Sequence, residues 1–99
     1  MSEDMRSQVE KLYEVIVGIK DIETCRSLFE DLCTFKEIES MAQRVESAKM
    51  LLSGATYEQV IKQTGISSAT LSRVSKCVKY GNGYKTVLKE DKWLKVKFQ

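Results

Sequence analysis

The sequence predicts an all-α protein. Its 99 residues contain no proline, and its five glycines fall only at positions 18, 54, 65, 81 and 83. Between these glycines, apolar side chains recur every three or four residues, which is the spacing of one face of an α-helix. The pattern therefore indicates a series of helices that end near glycines.

The first two predicted helices lie before residue 34. The first runs from about Asp4 to Gly18, and either Ser2 or Asp4 is placed to cap its start. The second follows Asp21, a residue type that often accepts a hydrogen bond from a free N–H group at a helix N-terminus. Both segments carry apolar residues at helical spacing.

The third predicted helix begins with a capping box. Thr34 is followed three residues later by Glu37, and in this pattern the hydroxyl and the carboxylate each satisfy a free backbone N–H. The helix is expected to run to about Leu52 and to stop at Ser53 and Gly54. Its apolar residues become dense near its end, which predicts burial on more than one side.

Residues 56–79 have the pattern of two short helices joined by a tight turn, a helix-turn-helix. Thr56 is expected to cap a helix from about Tyr57 to Thr64, and Gly65 stands where the chain turns sharply. Either Ser67 or Ser68 caps the second helix. The residues expected to face the core are Val60, Ile61, Ile66, Leu71, Val74 and Val78.

The opposite face of the second helix carries small side chains first and cations after them. These residues are Ser68, Ala69, Thr70, Ser72, Arg73, Lys76 and Lys79. Small residues let the backbone approach base edges, whereas arginine and lysine reach guanine or phosphates. The order favours binding in the major groove over a plain helical corner, which also needs a glycine and core residues. The residues predicted to face bases are Ser68, Ala69, Thr70, Ser72 and Arg73, and those predicted to face phosphates are Thr56, Lys76 and Lys79.

The charge distribution agrees with a polyanionic partner. The net charge is only +2, but residues 1–56 have a balance of −4 and residues 57–99 a balance of +6. No acidic residue occurs between Gln59 and Lys89. A basic stretch of this kind predicts binding to double-stranded DNA, although scattered lysines alone are typical of a solvated surface.

Composition argues against several other classes of protein. There is no histidine, the commonest general base and metal ligand, so we expect no enzyme, no metal site and no cofactor. Cys25, Cys33 and Cys77 form no C-x-x-C motif and suit the reduced cytosol as free thiols. No apolar run approaches the ~20 residues of a membrane span, and the N-terminus has no signal segment. We therefore expect a soluble cytoplasmic protein, associated with the nucleoid through its DNA partner.

Residues 42–82, AQRVESAKMLLSGATYEQVIKQTGISSATLSRVSKCVKYGN, resemble the third to fifth helices of the tryptophan repressor family, particularly its small YerC/YecD-type members. The resemblance covers about residues 30–90, and its strongest markers are LLSG, ATLSR and YGNGY. It implies a Trp-repressor-like helical bundle that forms an intertwined homodimer. It also implies that Thr56 lies near a phosphate and that the DNA surface includes Ser68, Ala69, Thr70, Ser72, Arg73 and Lys79.

The resemblance further implies a possible effector site. In the tryptophan repressor the amino acid lies between the third helix and the recognition helix, and the matching residues here are Thr34, Arg44 and Arg73. Val74, however, stands where the namesake has a glycine against the indole, and Cys77 stands where it has a serine. The larger side chain of Val74 would crowd an indole, and crowding of a tight site costs about 1–3 kcal/mol. L-tryptophan is therefore not the expected effector, and the effector is unknown.

Thr34 and Arg44 also have simpler interpretations. Thr34 is placed to serve only as a helix cap, and Arg44 is placed to pair with Glu39 or Glu46. These alternatives need no ligand.

The whole chain, residues 1–99, is predicted to form one DNA-binding domain. After the helix-turn-helix, a further helix is expected around Tyr84, Val87 and Leu88. For residues 91–99 the sequence leaves three alternatives, which are a flexible basic tail, an ordered arm and a strand. The predicted function is that of a sequence-specific transcriptional regulator, a repressor. The alternative is a helical module that binds an acidic protein partner.

Overall fold

A computed structural model of the chain describes residues 1–89. Six helices follow one another in that part of the chain: α1 Glu3–Val17, α2 Ile22–Leu32, α3 Phe35–Leu52, α4 Tyr57–Thr64, α5 Ser68–Tyr80 and α6 Gly83–Leu88. No strand occurs among these 89 residues. The all-α prediction is confirmed, whereas the predicted basic tail at 91–99 lies outside the described residues.

The chain divides into two compact units, Met1–Ile38 and Glu39–Gln99. The boundary falls within α3. The first unit contains α1 and α2, and the second contains α4, α5 and α6. A single domain over residues 1–99 stays a prediction.

In the first unit, each helix begins at a side-chain cap. The Ser2 hydroxyl accepts the Met5 N–H at 3.1 Å, so Ser2 rather than Asp4 caps α1. The Asp21 carboxylate accepts the Thr24 N–H at 2.8 Å, and this bond lowers the pKa of Asp21. In the single chain no residue of α1 or α2 is buried, so these two helices do not enclose a core of their own.

The predicted capping box at the start of α3 is confirmed. The Thr34 N–H donates to Glu37 Oε1 at 2.8 Å, and the Glu37 N–H donates to Thr34 Oγ1 at 3.1 Å. The bond from the Thr34 backbone is the main cause that lowers the pKa of the Glu37 carboxyl. The charged form of Glu37 is therefore the form that caps the helix.

The second unit has a core to which each of its helices contributes. The buried members are Ala48, Met50, Ala55, Val60, Ile66, Leu71, Val74 and Leu88. Ala48 and Met50 are two residues apart on α3, which separates them by about 200° around the helix axis. Since both are buried, the end of α3 is covered on opposite sides, as its dense apolar sequence predicted.

The inward position predicted for Ile61 is wrong. Its side chain is 36% exposed, whereas the preceding Val60 is fully buried. Consecutive helical residues point about 100° apart, so only the Val60 side of α4 meets the core. The predicted stripe on α5 is confirmed, because Leu71 and Val74 are buried and Val78 packs against the same core.

The turn between α4 and α5 has a left-handed backbone at Gly65, with φ of 76°. The Thr64 hydroxyl braces the turn by donating to the Val60 carbonyl at 2.8 Å and accepting the Ile66 N–H at 3.2 Å. Ile66 then enters the core. The direction of α5 is therefore fixed within two residues of the end of α4.

A second glycine turn follows α5. A Cβ atom at Gly81 would lie 2.8 Å from the Cys77 carbonyl oxygen, so a larger residue cannot occupy this position without a shift. The Lys85 ammonium reaches back from α6 and donates to the Lys79 carbonyl at 2.9 Å. The helix predicted around Tyr84 is confirmed as α6.

Within residues 1–89, no helix is long and apolar enough to cross a membrane.

The left-handed turn leads to a prediction for stability. Gly65→Ala should lower the free energy of unfolding by about 1–2 kcal/mol, because an L side chain is strained at this φ. An added Cβ would meet only the Gln43 amide nitrogen at 3.8 Å, so the loss would come from the backbone. Urea denaturation of Gly83→Ala provides the control, since a Cβ there meets nothing within 4 Å. Equal stability of the two variants would contradict the assignment of strain to Gly65.

Candidate nucleic-acid interface

The N-terminus of α5 is organised by Ser67. Its hydroxyl oxygen accepts the Thr70 N–H at 3.2 Å and its hydroxyl proton is donated to Thr70 Oγ1 at 2.9 Å. Ser67, and not Ser68, is therefore the cap, which leaves the Ser68 side chain exposed in the first turn of the helix.

The side of α5 that faces away from the core is called here the outer face. It comprises the predicted DNA-facing residues Ser68, Ala69, Thr70, Ser72, Arg73, Lys76 and Lys79. All of these are exposed except Thr70, which is half-buried. The structure thus brings seven of the eight predicted DNA-contact residues together on one helix. The eighth, Thr56, lies at the start of α4.

The outer face is electropositive because no carboxylate compensates its cations. The ion pairs within residues 1–89 join Arg26 to Glu23 and Lys49 to Glu46, so neither involves α5. The first turn of α5 also contains no acidic residue, in contrast to α1, α2, α3 and α4. No acidic side chain of the first turn therefore offsets the positive N-terminal end of the α5 dipole, which attracts anions.

The start of α4 carries a second capping box. The Thr56 N–H donates to Gln59 Oε1 at 2.8 Å, and the Gln59 N–H donates to Thr56 Oγ1 at 3.2 Å. The Thr56 hydroxyl uses its oxygen in this cap, so its own proton is available to an external acceptor. This arrangement suits a phosphate contact.

Gln43 holds the helix-turn-helix to α3, and sequence reasoning missed it. Its Nε2 donates to the Thr64 carbonyl at 3.1 Å, across 21 residues of sequence. Thr64 is the last residue of α4, where carbonyl groups have no partner within the helix. No local pattern marks this bond, because it depends on the packing of α3 against the turn.

A cleft of about 430 Å³ opens between α3, α5 and α6. It is lined by Ser40, Arg44, Thr70, Arg73, Val74, Cys77 and Tyr84. Two of the three residues proposed for effector binding, Arg44 and Arg73, therefore share one cleft. The third, Thr34, belongs to the first unit, where its hydroxyl caps α3.

Arg44 does not form the alternative ion pair predicted from the sequence. Its Nε donates to the Ser40 carbonyl of its own helix at 3.4 Å, and no carboxylate within residues 1–89 pairs with it. Glu46 instead accepts a bond from Lys49 at 3.4 Å. The cleft therefore contains two arginines and no acidic side chain.

Val74 has a structural role in the same cleft. Its side chain is 2% exposed and belongs to the hydrophobic core, while Cys77 is exposed on the cleft wall. Val74 therefore belongs both to the core and to the lining of the cleft.

The short helix pair, its left-handed turn and the cationic outer face define a helix-turn-helix protein. The family model described as Trp repressor protein matches residues 7–92 of the chain. The chain therefore belongs to the Trp repressor family, a family of helical DNA-binding regulators rather than enzymes. This confirms the family resemblance of the sequence.

Individual relatives agree with the family assignment. The chain is 48% identical over 75 residues to an uncharacterized protein, YerC, of Bacillus subtilis, and the match covers 76% of this chain and 72% of YerC. A crystal structure of a candidate Trp repressor from Staphylococcus aureus has a TM-score of 0.81 at 33% identity, covering 90% of this chain and 93% of that one. A TrpR-like protein from Eubacterium eligens also has a TM-score of 0.81, at 40% identity and 94% coverage of both chains. These likenesses confirm the Trp-repressor-like fold.

Proposed function

We propose that this chain is a sequence-specific transcriptional regulator, a repressor, which inserts α5 into the major groove of DNA. The observation that carries the proposal is the outer face of α5, with small exposed residues in the first turn and unpaired cations further along. Occupation of a promoter by the bound protein would block transcription. A DNA partner would also place the protein at the nucleoid in the cytoplasm.

The first turn of α5 is suited to contact base edges. Ser68, Ala69 and Ser72 are small and exposed, so the helix backbone is able to approach the floor of the groove. The Thr70 hydroxyl accepts a bond from Ser67 and keeps its proton for a base acceptor. Arg73 is long enough to donate two hydrogen bonds to a guanine.

Phosphate contacts would fix the orientation of α5. Lys76 and Lys79 lie further along the outer face, where they are exposed and have no carboxylate partner within residues 1–89. Thr56, at the N-terminus of α4, offers a hydroxyl proton beside free backbone N–H groups. Contacts of this kind position a protein on the duplex but carry no sequence information.

A homodimer is part of the proposal. In the single chain, α1, α2 and the start of α3 leave large apolar side chains exposed, including Val17 at 82%, Phe35 at 74% and Ile22 at 70%. Exposed apolar surface of this extent is typical of a protein interface. A second copy of the chain would cover it and would supply the second recognition helix for a palindromic site.

The DNA proposal predicts different effects for two cations of α5. Once a genome-wide binding map has identified an operator, Arg73→Ala should remove the preference for operator over random duplex, because it takes away a base contact. Lys79→Ala should weaken binding to both duplexes alike. It should also make the slope of log affinity against log salt concentration shallower by about 0.9 for each phosphate that the protein no longer neutralises. Fluorescence anisotropy titrations at several salt concentrations measure both effects.

Two results would change this assignment. Equal losses on both duplexes for Arg73→Ala would make Arg73 a phosphate contact. If the wild-type protein shows no preference among genomic fragments, the alternative of a module that binds an acidic protein partner becomes the better one.

The dimer proposal predicts a solution mass. Light scattering at micromolar concentration should give about twice the 11.3 kDa mass of the chain, because the exposed apolar faces require a partner. A stable folded monomer would exclude the paired docking of two α5 helices, which must lie ~34 Å apart to enter successive major grooves.

We further propose that L-tryptophan is not the effector. Val74 is buried in the core, so an indole ring in that position would have to displace it, and the Cys77 thiol is a weak hydrogen-bond donor. DNA affinity should not change with millimolar L-tryptophan, and calorimetry should give no saturable heat. The matched variant is Val74→Gly, which removes the side chain from this position. It should lower the free energy of unfolding by roughly 1.5–3 kcal/mol. Tryptophan-dependent DNA binding by the unmodified protein would refute this proposal.

A further inference from the structure

We infer that the cleft lined by Arg44 and Arg73 binds a phosphate group, and that in the DNA complex this group belongs to the DNA backbone. Arg44, which lies on α3 and outside the helix-turn-helix, thereby becomes an additional DNA contact. The inference rests on the proposed function, since the position of the cleft matters only if DNA lies against α5.

The first observation is that Arg44 has unused hydrogen-bonding capacity. Its side chain is half-buried, and its Nε is bonded only to the Ser40 carbonyl at 3.4 Å. A guanidinium has five N–H donors, so four remain without an acceptor within residues 1–89. A cation that is partly withdrawn from water and lacks a carboxylate is stabilised when an anion binds it.

The second observation is the lining of the cleft. Arg73 also lines the cleft and adds positive charge beside Arg44, the Ser40 hydroxyl adds a neutral donor, and no acidic residue is present in the lining. The planar guanidinium matches the geometry of a phosphate and binds it through two parallel hydrogen bonds. Val74, Cys77 and Tyr84 complete the lining, so the cleft combines cationic and polar groups with an apolar part.

The third observation is that the cleft borders the outer face of α5. Thr70 and Arg73 belong to that face and also line the cleft. A duplex seated on α5 would therefore bring its backbone to the mouth of the cleft. Arg44 lines the cleft from α3, so the supporting helix would contact the same duplex as the recognition helix.

The salt dependence of DNA binding tests the inference with the full-length protein and a random-sequence duplex, because a phosphate contact needs no operator. Arg44→Gln should make the slope of log affinity against log salt shallower by about 0.9 per cleft, equal to roughly a 3.5-fold smaller loss of affinity between 50 and 200 mM salt. Arg44→Lys keeps the charge and should restore most of the slope. Circular dichroism and thermal melting establish that each variant is folded.

Arg26→Gln is the matched control. Arg26 is also an arginine on a helix, but it is already paired with Glu23 at 3.0 Å. Its removal changes the net charge of the chain by the same amount and should leave the slope unchanged. If Arg44→Gln and Arg26→Gln have the same slope as the wild type, the inference is wrong while DNA binding itself stands.

A second measurement separates DNA phosphate from a free phosphate. Inorganic phosphate is titrated into the DNA-free protein by calorimetry at constant ionic strength. Arg44-dependent binding of inorganic phosphate combined with an unchanged DNA slope would overturn the DNA assignment in favour of a free anion. If the wild-type protein binds no DNA, the proposed function fails, and only Arg44-dependent phosphate binding would retain the cleft as a phosphate site.

Discussion

The turn between α4 and α5 controls what the protein presents to solvent. Gly65 reverses the chain with a left-handed backbone, and Ile66 enters the core directly after it. The burial of Leu71 and Val74 then fixes the rotation of α5 about its own axis, because these residues share one side of the helix. The outer face is therefore held in position by residues of the hydrophobic core. The bond from Gln43 to the end of α4 extends this constraint to α3.

Acidic side chains take part in two of the helix caps of the first unit, but not in the cap of α5. Carboxylates such as Asp21 and Glu37 cap helices in the first unit, and their hydrogen bonds lower their pKa values. At the start of α5 the cap is instead the neutral hydroxyl of Ser67. A carboxylate would cap the helix equally well but would repel a phosphate. The choice of a neutral cap thus preserves helix stability and the positive potential of the outer face together.

Val74 connects the hydrophobic core of the second unit to the cleft beside α5. The side chain is a member of the hydrophobic core and also lines the cleft between α3, α5 and α6. Arg44 and Arg73 nevertheless stay in the cleft without carboxylate partners among residues 1–89. The charge of the cleft supports the proposed phosphate ligand, and the burial of Val74 supports the proposal against L-tryptophan.

The sequence by itself determined the helices, because their caps, glycines and apolar spacing act over three or four residues. The sequence offers both Ser67 and Ser68 as caps of α5, since either hydroxyl has suitable spacing. The hydrogen bond from the Thr70 N–H identifies Ser67 as the cap. Only the tertiary structure decided that Ile61 is exposed, that Gln43 binds Thr64 and that Arg44 has no carboxylate partner within residues 1–89. The first two depend on which side of a helix meets the core, and the third depends on side-chain directions along α3. The contact between Gln43 and Thr64 joins residues that are distant in sequence. Arg44 has more than one glutamate within helical reach, so the local sequence pattern does not specify its partner.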